Sequence, residues 1–75
     1  MRDTREIIRE EPLHRGAILD LLADGPHTVP EIAAAIGQPE RETMFWVMGM
    51  RKYGRLAELP GVTPEGYYRF QAVGT

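Results

Sequence analysis

Cysteine is absent from the 75 residues, which removes disulfides, thiolate zinc sites and cysteine nucleophiles together. Long apolar runs are missing too. No stretch approaches the roughly 20 residues that span a bilayer, and no secretory signal pattern opens the chain. A cytoplasmic protein with no membrane partner is expected. Positive charge is scarce: 9 Lys and Arg against 11 Asp and Glu give a formal net charge of −2 and a pI near 5.6. Strong nucleic-acid binders usually carry the opposite balance. His14 and His27 are the only imidazoles, with neither cysteine nor an acidic cluster beside them, so no metal site is expected. Glycine-rich phosphate loops and nucleophile elbows are lacking, and the paired glutamates fall on exposed helical turns. The chain reads as a non-enzyme without cofactors. One domain of this length is near the lower limit for an independent core, about 3–5 kcal/mol, so a homodimer or a protein partner is expected.

What is present is organised by its breakers. Residues 2–11 mix charges around Ile7-Ile8 and form an amino-terminal arm or short helix ahead of Pro12. A helix is expected from about Pro12 to Ala23, with Leu13, Ala17, Leu21, Ile18 and Leu22 as its apolar stripe, and Asp24-Gly25-Pro26 stops it. His27-Thr28-Val29 is a short extended bridge. Thr28 and Glu31 then have the spacing of a capping box, Pro30 falls in the first turn, and Gly37 supplies a left-handed end. A helix over 28–36 and another over about 39–53, ending at Gly54, follow. Beyond it, Leu56 and Leu59 begin a strand that closes at Pro60-Gly61, a pair suited to a type II turn, and Thr63-Pro64-Glu65-Gly66 suits a type I turn. Tyr68, Phe70 and Ala72 alternate with Tyr67, Arg69 and Gln71 as a half-buried return strand.

The stretches Ile18–Leu22, Asp24–Val29, Glu31-Ile32-Ala33, Ile36-Gly37, Tyr53-Gly54-Arg55-Leu56 and Gly66-Tyr67-Tyr68-Arg69-Phe70 carry a resemblance. Over residues 13–73 the chain resembles the small winged helix-turn-helix regulators of the MarR-like and ArsR-like kind. The resemblance implies a mainly α fold with a small β-hairpin, a three-helix core plus wing over residues 12–75. It also implies binding to double-stranded DNA and transcriptional regulation.

The helix over 39–53 departs from that pattern. At 100° per residue, Thr43, Trp46, Val47, Met50, Tyr53 and Gly54 share one side, read as the core face. Arg41, Met44, Phe45, Met48, Arg51 and Lys52 share the other. In the resembled family that outward surface enters the major groove, where hydrogen-bonding side chains read base edges. Here Arg41, Arg51 and Lys52 are suited to DNA, with Arg55 and Arg69 on the hairpin strands. Met44, Phe45 and Met48 form an apolar patch suited to a protein partner. Glu40 and Glu42 suit the helix dipole but would repel phosphate. Gly49 costs about 0.8–1.0 kcal/mol relative to alanine, which suggests room for a ring or a partner backbone. The loop over 60–66 carries one acid and no base. A protein–protein module using this apolar helix face is the alternative function.

Overall fold

Pro12 decides how the chain begins. Having no N–H, it cannot donate to the carbonyl of Ile8, and its ring crowds that turn. In the computed structural model, which describes residues 2–73, the chain accordingly breaks between α1 (Thr4–Arg9) and α2 (Glu11–Ala23) at Glu10. The break turns Ile7 inward, where it is completely buried, while Ile8 stays 54% exposed. Then come β1 (His27–Thr28), α3 (Val29–Ile36), α4 (Glu40–Lys52), β2 (Leu56–Glu58) and β3 (Arg69–Ala72). The protein is thus mainly helical, with a small three-stranded antiparallel sheet in the order β1-β3-β2. His27 is in register with Phe70, and Leu56 with Ala72. No helix among the described residues is long and apolar enough to cross a membrane.

Local chemistry sets the boundaries. The Glu31 N–H donates to Thr28 Oγ1 at 3.3 Å and the Thr28 N–H donates to Glu31 Oε1 at 2.8 Å, closing the capping box. Gly37 ends α3 at φ 69. At the end of α4 the Arg55 N–H reaches back to the Met50 carbonyl and the Gly54 N–H to that of Arg51. This double closure requires a left-handed residue, and Gly54 provides it at φ 79. In the hairpin the Gly66 N–H donates to the Thr63 carbonyl, as the expected four-residue turn demands.

The core gathers Ile7, Ile18, Leu22, Val29, Ile32, Trp46, Val47, Met50, Leu56 and Phe70 from every helix and both hairpin strands. Trp46 is its centre. The indole N–H donates to the Ile7 carbonyl, and the His14 ring stacks on it at 4.1 Å between centroids. Thr43 is equally buried, its hydroxyl donating to the Pro39 carbonyl at 2.9 Å. Arg2 then ties the amino terminus to the rest, pairing with Glu10 and, at 2.5 Å, with Glu42.

Four side chains depart from the expected faces. Leu13 is 77% exposed and Ala17 is exposed as well. The buried stripe of α2 is Ile18-Leu22, and Leu13 lies roughly 140–180° around the helix from it. Tyr53 is 72% exposed, since α4 ends at Lys52 and the left-handed closure swings the chain off the core face. Tyr68 precedes β3 and is half exposed, so only Phe70 and Ala72 face inward.

The caps make a pH prediction. The Glu31 carboxyl is held below the usual carboxylate range, chiefly by the Thr28 N–H, with the Thr28 hydroxyl region, His27 and Arg69 adding to this and desolvation opposing it. Hydrogen bonding and charge from Arg2 do the same for Glu10. A depressed carboxyl contributes stability that is present above its unfolded value, about 4.3, and is lost as pH falls through the lower folded value. Melting temperature should therefore decline as pH drops below about 4.3. Glu31→Gln, which keeps a capping-box residue, should make that decline shallower, and an unchanged acid slope would contradict the assignment. Thr28→Ala should cost about 1 kcal/mol at neutral pH.

Candidate functional site

α4 is the element on which the candidate residues meet. Its inner stripe, Thr43, Trp46, Val47 and Met50, is completely buried, as its spacing requires. The outward side is less uniform than a helical wheel suggests. Met44 and Met48 are 47% and 39% exposed, but Phe45 is half-buried and packs against the core. The patch expected from Met44, Phe45 and Met48 therefore divides between two concavities, one on each flank of α4.

On one flank, Met44 and Met48 face the hairpin across a groove of about 310 Å³. Val29, Phe70, Tyr67, Tyr68 and Gly66 complete its apolar surface, and Glu40 and Glu58 are its only charged lining residues among those described. The hairpin loop is held for this role from within. Thr63 is buried, its N–H donates to the Tyr67 carbonyl at 2.8 Å, and its hydroxyl accepts from the Tyr67 N–H at 3.2 Å. This anchoring presents both tyrosines to α4 without a β-ladder beneath them. The sequence pattern assigned Tyr67 and Tyr68 to opposite faces of a strand and so missed that they share a groove wall. The Tyr-Tyr pair straight after Gly66 was the available signal.

On the other flank, Phe45 and Gly49 adjoin Ile8, Tyr53, Arg55 and the paired Glu11 and Arg15, around a concavity of about 260 Å³. A Cβ added at Gly49 would meet nothing within 4 Å. Packing within the fold therefore does not require this glycine. Gly49→Ala should stabilise the chain by about 0.8–1.0 kcal/mol, read as a higher urea midpoint; a loss of stability would mean that the space is used.

The cations chosen from the sequence have different immediate neighbours. The Arg41 guanidinium lies 5.3 Å from the centroid of the Phe45 ring, and the Lys52 ammonium 5.8 Å from that of Tyr53. Arg51 faces Glu58 at 3.8 Å. Arg55 lines the concavity beside Phe45. Arg69 lines a third one with Thr28, Glu31 and Glu65, on the sheet face opposite Phe70. Arg41, Arg51 and Lys52 thus share α4, Arg55 adjoins the Phe45 and Tyr53 rings that Arg41 and Lys52 lie over, and Arg69 stands on β3 beside Thr28 and Glu31. The two amino-terminal acids also divide. Glu40 is exposed on the groove, whereas Glu42 is buried against Arg2 and its charge is compensated.

The chain matches no family model, no curated protein and no solved structure.

Proposed function

We propose that the chain is a winged helix-turn-helix domain that docks another protein through the groove between α4 and the hairpin. The fold part is supported by the element order, by α3 leading through Gly37 into α4, and by a hairpin that follows α4 and pairs with β1. The composition of the groove carries the functional part. A duplex approaching α4 and the hairpin together would set its phosphates against Glu40 and Glu58 and its base edges against methionines and tyrosines. Phosphate binding needs cations there, and base readout needs matched donors and acceptors. Methionine and tyrosine instead suit protein surfaces: methionine adapts to irregular shapes, and tyrosine brings large area at low entropic cost.

Duplex DNA is the second reading, favoured by the exposure of Arg41, Arg51 and Lys52 along one helix. A photocrosslinking residue placed at Met48 separates the two in cells. Docking predicts nuclease-resistant protein adducts from Met48 and none from Leu13, which is exposed on α2. Nuclease-sensitive adducts alone, together with sequence-selective duplex binding lost in Arg51→Ala/Lys52→Ala, would overturn the docking reading. Weak binding to any duplex, falling by about one unit of log–log salt slope per contact, would not.

A further inference from the structure

We infer that the occupant of the α4–hairpin groove is an amphipathic helix with an apolar stripe bracketed by lysine or arginine, an inference that rests on the docking reading above. Charge decides the chemistry of the partner. The floor and walls are apolar, from Met44, Met48, Tyr67 and Tyr68, and both charged lining residues are acids. Glu40 stands at the start of α4 and has no cation within 4 Å among the described residues. Glu58 stands beside Arg51, 3.8 Å away, near the other end of that helix. Arg51 is 11 residues beyond Glu40, roughly 16 Å along α4 at about 1.5 Å per residue. That span is about three helical turns. A helix laid along the groove meets Met44 and Met48 with anchors at three- and four-residue spacing, and meets the acids with its two ends.

An acidic partner would bury its charge against Glu40, which like-charge juxtaposition penalises. A second copy of this chain is the rival occupant, since the outward face of its own α4 carries Met44 and Met48 beside Arg41, Arg51 and Lys52. Met44 and Met48 methyl shifts that grow with protein concentration before any peptide is added would identify that rival and overturn the inference of a separate helical partner.

The test uses the full chain with ¹³C-labelled methionine methyls and two synthetic helical peptides of about four turns. Both peptides carry leucines at i, i+3, i+4 and i+7. One has lysine at each end of the stripe and the other has glutamate. The lysine peptide is expected to shift the Met44 and Met48 methyls while buried Met50 moves little, and the glutamate peptide should bind at least tenfold more weakly. Glu40→Gln leaves the Arg51–Glu58 contact intact and should weaken the lysine peptide several-fold, with the salt dependence reduced. Equal or tighter binding of the glutamate peptide would overturn the charge assignment and leave docking standing. Absence of any Met44 or Met48 shift with either peptide at millimolar concentration would overturn both readings, as would unchanged lysine-peptide binding in Met44→Gln/Met48→Gln. Duplex DNA moving the same methyls more tightly than either peptide would also overturn both. Melting curves for each variant establish that the fold is retained.

Discussion

Ile7→Ala is expected to leave the chain largely unfolded at room temperature. Ile7 is completely buried, and truncating a buried isoleucine costs about 2–5 kcal/mol. A domain of this size has only about 3–5 kcal/mol to lose. The side chain is one of the larger members of a core shared by all four helices and the hairpin, so nothing adjacent can collapse to fill the space cheaply. Ile8→Ala is the matched control. Its side chain is more than half exposed, and a surface change should stay within about 0.5 kcal/mol. Urea titrations followed by Trp46 fluorescence compare the two. Similar midpoints for both variants would mean that α1 is not part of the cooperative unit.

Trp46→Ala should be equally severe, at about 3–5 kcal/mol, and Trp46→Phe is the more informative change. Phenylalanine keeps much of the apolar volume but removes the indole donor from the Ile7 carbonyl, which retains the Glu10 N–H at 3.1 Å. The lost hydrogen bond should cost about 0.5–1.5 kcal/mol. The stack with His14 can be isolated by a double-mutant cycle with His14→Ala, where an aromatic pair contributes about 0.5–1.5 kcal/mol beyond buried area. A cycle that closes at zero would remove the stack from the account. A Trp46→Phe variant as stable as the parent would remove the hydrogen bond. Both variants also test how α1 is joined to α4, since the bond at stake crosses between them.

Much of the fold was legible because its signals are local. A threonine three residues before a glutamate, a proline within the first turn and a glycine after Ile36 describe one helix end to end, and the hydrogen bonds follow that description. The inner face of α4 was legible for the same reason: four buried side chains at helical spacing admit one orientation. Periodicity was weaker wherever a helix has more apolar residues than the core can accept. α2 offers two stripes, and only Ile18 with Leu22 was taken. Phe45 was expected outside and is half-buried against the core, whereas Tyr53 was expected inside and is exposed where the chain leaves α4.

The amino-acid sequence by itself determined the breakpoints, the capped helix over Val29–Ile36, the core stripe of α4 and the hairpin turns. Each depends on residues a few positions apart and on backbone preferences that travel with the residue type. Only the tertiary structure decided that Arg2 neutralises a buried Glu42, that Ile7 lies beneath Trp46, that Arg55 lines a concavity with Phe45, and that Arg69 lines another with Thr28 and Glu31. It also decided the groove. Met44 and Met48 come from one helix, Tyr67 and Tyr68 from a loop held by Thr63, and Glu58 from a strand. Their juxtaposition depends on packing α4 against the sheet, and no local pattern encodes a distance between segments that only the shared core brings together.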